Sequence, residues 1–151
     1  IAGDVPGTLS LKVVRAGHPE RAPHIVFSPR WTNDKTGAFA GTVLKTGVAG
    51  HGSTSPWDIH NTLIARGPAF VQGRLTGIPS HNTDLAPTIC HLLGLAPSPD
   101  MERDPHEPDA VGKQRLRTTR QFDDGTRYEM EAQTSHYRGR TYLDQASAVR
   151  N

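Results

Sequence analysis

A chain of 151 residues is long enough for one domain, but 34% apolar residues alongside 15 glycines and 12 prolines describe a loop-rich chain with a thin core. Lysine and arginine exceed aspartate and glutamate by only 17 to 15, a net charge of +2, and no basic run interleaves with aromatics, so no nucleic-acid surface is evident. A single cysteine, Cys90, excludes an internal disulfide framework, and no apolar stretch reaches the length of a membrane-spanning helix.

Taken in order, residues 8–14 (TLSLKVV) alternate apolar and polar through Leu9, Leu11 and Val13, which predicts a half-buried strand. Residues 24–28 (HIVFS), with β-branched Ile25 and Val26 at the centre, predict a second short strand that ends at Pro29; His24 reads as its entry residue. Residues 30–46 are glycine-rich and without period, so they predict a long loop with room for a short hairpin, in which Trp31 packs over a sheet edge, lining a substrate pocket being the other reading.

The chain is organised around residues 47–73, GVAGHGSTSPWDIHNTLIARGPAFVQG. His51 stands between Gly50 and Gly52, where the backbone can approach a ligand closely. Residues 62–65 form a short apolar run stopped by Gly67-Pro68, which predicts a buried strand. Residue types alone leave His51 either a turn residue or a metal ligand. Asp58 and His60 are close in sequence, but nothing in the pattern turns them towards His51.

Residues 83–93 carry the clearest helix. Leu85, Ile89, Leu92 and Leu93 fall on one face; Asn82 or Thr83 can cap the start, and Asp84 suits the positive end of the dipole. Pro87 fits the first turn, and Gly94 and Pro97 stop the helix. That position gives Asp84 a structural rather than a catalytic role, and makes Cys90 a buried thiol. Residues 98–126 are rich in proline and charge and predict an exposed linker, with Lys113, Arg115, Arg117 and Arg120 on a solvated face. The tail, 127–151, predicts a β-hairpin with strands at 127–135 and 140–143 around a turn at 136–139. His18, His81, His91, His106 and His136 show no ligand spacing such as H-E-x-x-H.

Two stretches, in order, resemble the C-terminal part of the alkaline phosphatase superfamily, most of all its type I phosphodiesterase/nucleotide pyrophosphatase branch. The first is Gly50-His51-Gly52 followed by Leu63-Ile64-Ala65 and then Gly67, Pro68 and Phe70. The second runs from Asn82-Thr83-Asp84-Leu85 through Pro87-Thr88-Ile89 to Leu92-Leu93-Gly94-Leu95. The likeness covers residues 47–97 best, with a looser match at Arg21, Pro23 and Ile25. It implies an α/β fold, the C-terminal part of an alkaline-phosphatase-like sandwich: a central mixed sheet flanked by helices, with a peripheral β-hairpin. Strands at 8–14, 24–28 and 62–65 would join that sheet and the helix would pack on one face. The chain then divides into 1–97 as part of the catalytic domain, 98–126 as linker and 127–151 as tail.

The resemblance also implies a site of two divalent cations, usually zinc, in which the last histidine of one cation's ligand set comes from the G-x-H-G turn. His51 matches that position and is the one metal ligand carried over; no catalytic residue is. The nucleophilic Thr or Ser and the acidic ligands belong upstream in the family, and Ser53, Thr54 and Ser55 follow His51 too closely to replace them. The expectation is therefore the C-terminal portion of a metal-dependent hydrolase of small-molecule phosphate esters. It would be inactive by itself, and its partner would be the missing N-terminal portion of the same domain. Ser53-Thr54-Ser55-Pro56-Trp57 stands where nucleotide pyrophosphatases carry a Y-D-N step, which keeps the sulfatase branch open. A binding domain that kept the fold and lost the site is the reading from another class. Relatives are often periplasmic or secreted; the residues assign no compartment.

Overall fold

The computed structural model describes residues 2–14, 16–32, 39–40, 52–98, 101 and 110–151. In chain order these form β1 (Trp31–Thr32), β2 (Phe39–Ala40), α1 (Pro56–Ile59), α2 (Leu85–Leu92), β3 (Gly112–Gln121), β4 (Arg127–Tyr137) and β5 (Arg140–Arg150). β1 and β2 make a two-residue antiparallel pair, and β3, β4 and β5 make an antiparallel sheet in that order. The content is thus α and β, with the β-structure concentrated in the last third of the chain. No helix of the described residues is long and apolar enough to cross a membrane.

The three-stranded sheet is built by two tight turns. Between β3 and β4, Gly125 takes a φ of 84°, and the Asp124 carboxylate accepts the Thr126 amide at 2.9 Å. That bond holds the Asp124 carboxyl below its ordinary value. Between β4 and β5, Arg138 and Gly139 have φ of 51° and 74°; a two-residue turn with both centres positive matches the twist of the strands it joins.

Alternation along β4 then sorts the side chains. Met130, Ala132 and, across the pair, Ala146 are buried as one cluster, with Leu9, Leu116, Tyr128, Leu143 and Ala148 packed around it. Leu9 comes from an N-terminal turn that is further pinned where the Gly7 amide donates to Thr118 Oγ1. A register shift between Gln133 and Thr134 leaves Asp144 as an extra residue of β5, so that Asp144 and Gln145 follow each other on one face.

Several expectations are corrected. Residues 8–14 hold a single bridge, Ala2 to Leu9, and a turn; 24–28 and 62–65 are not strands. Apolar β-branched runs become strands only when a neighbour completes their backbone hydrogen bonds, and none of the described residues does so here. Ile25, Phe27 and Ile64 stand 81%, 84% and 85% exposed. The linker expected over 98–126 contains β3, the first strand of the main sheet. The hairpin of the tail is present, with both strands longer than expected, but it carries the buried cluster instead of lying at the periphery.

The helix stands where its pattern puts it. A 3₁₀ turn at Asn82–Asp84 leads into α2, and the cap is His81, whose ring accepts the Thr83 amide while Asp84 Oδ2 accepts the His81 amide at 2.7 Å. At the other end Gly94 has a φ of 67°, with Gly94 N–H on His91 O and Leu95 N–H on Cys90 O, the paired bonds of a Schellman cap. The apolar face is not packed on the sheet as expected: Leu85, Ile89, Leu92 and Leu93 are all exposed, and Pro87 is the buried residue. The helix is tied to the sheet at its start, where Arg140 Nη1 lies 2.9 Å from Asp84 Oδ1.

Candidate functional site

His51 lies outside the described residues, but the turn that follows it is described from Gly52 onwards. Gly52 has a φ of 89°, a backbone that side chains rarely tolerate, so the glycine after the histidine is required by conformation. The Ser53 amide donates to Asp58 Oδ2 at 3.0 Å. Ser55, fully buried, caps α1 by accepting the Trp57 amide, and Pro56 opens the helix where a missing N–H costs nothing. Asp58 therefore closes a loop from α1 back to the residue two positions after His51.

Thr54 anchors this loop to the sheet. Its carbonyl accepts the Ala146 amide at 2.9 Å, and its hydroxyl donates to the Ala146 carbonyl at 2.8 Å. Ser28 Oγ accepts the Thr54 amide at 2.9 Å, and Trp31 Nε1 donates to the same Ala146 carbonyl. Trp31 thus sits on a sheet edge, as its sequence context predicts. The outcome is a turn held from three directions: by its own helix, by Ser28, and by the edge of β5.

The bulge in β5 makes a second polar cluster that the sequence did not signal. It turns Asp144 to the face of the sheet that carries Ser135 and Lys113. Lys113 Nζ donates to Ser135 Oγ at 2.7 Å and pairs with Asp144 Oδ2 at 3.1 Å, while the Ser135 hydroxyl donates to Asp144 at 2.8 Å. Ser135 is 1% exposed, its proton faces a carboxylate and its oxygen faces an ammonium. That arrangement satisfies a buried hydroxyl and an ion pair; it does not free a nucleophile. An open groove of about 1510 Å³ borders both this cluster and the turn, with Trp31, Thr54, Asp58, His60, Lys113 and Asp144 on its walls.

The other candidates are placed as follows. His60 ends α1, with its amide on Pro56 O, and is exposed. Asp84 caps a helix and pairs with Arg140, which is the structural role its position predicts. Cys90 is half-buried on α2. His136 is held by Thr141 at Nδ1 and by Gln114 at Nε2, both at 3.0 Å. Among the described residues no three or more His, Cys, Asp or Glu side chains lie close enough to hold a metal ion. Lys113, Ser135 and Asp144 are separated by up to 31 positions, and only pairing and the bulge join them.

No family model matches the sequence, and neither the curated proteins nor the solved structures contain a significant match.

Proposed function

We propose that this chain is the C-terminal portion of a metal-dependent phosphate ester hydrolase of the phosphodiesterase type, built on an alkaline-phosphatase-like sandwich, to which it contributes His51 as one zinc ligand. The observation that carries the reading is the ordered pair of motifs, Gly50-His51-Gly52 and Asn82 to Leu95. The geometry behind His51 supports it. A histidine ligand needs a backbone that does not shift when the cation binds, and two of the next three residues are fastened, Ser53 by Asp58 and Thr54 by Ser28 and Ala146. The resemblance puts the remaining ligands and the hydroxyl nucleophile in an upstream part of the same domain. When bound, two such cations stabilise the attacking and leaving oxygens of a phosphoryl displacement.

Within this chain Asp58 acts on the site through the backbone, as a positioning residue. The test uses the full-length protein, with zinc content and hydrolysis of a nitrophenyl phosphodiester, phosphomonoester and sulfate ester as readouts. His51→Ala is expected to remove most activity and to release zinc. Asp58→Ala is expected to weaken zinc affinity by less than the about 10- to 100-fold that follows loss of a group bonded directly to a ligand, since Asp58 holds the Ser53 amide and not the imidazole. Asp58→Asn, which keeps an oxygen for the Ser53 amide, retains it. Normal zinc content and activity in His51→Ala would remove the proposal. Preferential hydrolysis of the sulfate ester would move the chain to the sulfatase branch.

A further inference from the structure

β3 is the outer strand of the sheet. It pairs with β4 on one side, and among the described residues no strand pairs with its other side. Such an edge presents a row of backbone N–H and C=O groups that a further strand can use. Most of its ten residues are exposed, Leu116 and Thr118 being the half-buried exceptions.

The charge on this edge has one sign. Lys113, Arg115 and Arg117 recur at alternate positions and so share a face, Arg120 lies on the other, and β3 contains no acid. The carboxylates that meet these cations lie behind the edge. Asp144 on β5 takes Lys113, and Glu131 on β4 takes both Arg117, at 2.7 Å, and Arg115, at 3.3 Å. One carboxylate between two guanidinium groups leaves positive charge over, and Arg120 stacks on the Phe122 ring with 5.0 Å to its centroid. Lys113, Arg115 and Arg117 each keep more than half of the side chain exposed, so this surplus is open to solvent.

We propose that the outer edge of β3 captures an extended acidic polypeptide segment with a carboxylate at every second residue. An extended chain laid along the edge presents alternate side chains to one face, the spacing at which β3 presents Lys113, Arg115 and Arg117. Opposite charges across a ladder attract and like charges repel. In the register that brings the two basic faces together, the same rule rejects a second copy of this strand, because it sets lysine and arginine against lysine and arginine. Backbone hydrogen bonds hold the segment and the basic face chooses it.

The test is fluorescence anisotropy on the full chain with a labelled peptide in which Glu alternates with Thr over the length of β3, and with its Lys–Thr counterpart. Hydrogen exchange is followed at the β3 amides. The Glu peptide is expected to bind, to slow exchange in β3, and to weaken about tenfold or more between about 0.05 M and about 0.5 M salt, since exposed pairs are screened. Replacing both arginines with glutamine (R115Q, R117Q) is expected to weaken it about fivefold with the far-UV spectrum unchanged. Charge reversal (R115E, R117E) is expected to transfer the preference to the Lys peptide. Equal binding of the two peptides, binding without protection of β3, or a concentration-dependent dimer that protects β3 in the absence of peptide would each overturn the proposal.

Discussion

Residues 110–151 and residues 52–98 differ in where their polar backbone and their apolar side chains go. The C-terminal sheet pairs β3, β4 and β5 in one ladder and buries Met130, Ala132 and Ala146 with help from one distant residue, Leu9. The central segment has the more apolar runs, yet Leu63, Ile64, Val71, Leu75 and Leu93 all stand exposed, Leu75 at 97%. The difference teaches that hydrophobicity does not make a strand by itself. A hairpin closes on contacts a few residues apart, through two tight turns, whereas an isolated apolar run needs a second layer to lie against. The central segment does hold order at α2, through its own caps, and at the Gly52–Asp58 loop, where the local cap is joined by the bonds of Thr54 to Ser28 and Ala146.

That contrast can be attacked directly. Met130→Ala is expected to have the largest effect, about 2–4 kcal/mol, because it opens the centre of a small buried cluster. A urea melt should show the loss, and exchange in β4 should rise while exchange in α2 changes little. Asp84→Ala is expected to come next, at about 2 kcal/mol, since it removes a capping acceptor and the carboxylate facing Arg140. It acts on the joint between the two regions, so α2 should exchange faster while β4 keeps its protection; loss of protection in both would show that the regions are one cooperative unit. The smallest effect is expected from pH. The Arg117 guanidinium, and behind it Arg115, hold the Glu131 carboxyl below its ordinary 4.5. Its contribution is therefore complete above 4.5 and is lost as pH falls through the lowered folded value beneath that. Solvent reduces the effect at this exposed position. The thermal midpoint of the sheet should drop in that acid window, and the drop should be smaller in Glu131→Gln.

Much of the local structure was legible. The face of α2, its start near Asn82 and its stop at Gly94 follow from period and capping, and the structural role of Asp84 follows from its place at the helix start. The hairpin of the tail was legible from its alternation. β3 was not, because an edge strand exposed along most of its length has no apolar alternation to show. The signal for it was present in another form: Asp124-Gly125 is a hairpin turn, and Arg117 lies across from Glu131 with Arg115 on the diagonal. The strands expected at 24–28 and 62–65 failed for the opposite reason, since their composition describes a partner layer that the described residues do not supply. The fastening of the turn after His51 was invisible as well. Ser53 and Asp58 are five positions apart, but Thr54 meets Ala146 across 92 residues.

The order of residues by itself determined the capped helix and the turn that folds the tail into a hairpin. These depend on backbone preference and on hydrogen bonds within a few positions. Only the tertiary structure decided that Ala146 would anchor the loop behind His51, that a one-residue bulge would turn Asp144 towards Ser135 and Lys113, and that a basic strand would stand at the sheet's outer edge. Those depend on register, and a shift of one residue would move every one of these side chains to the opposite face.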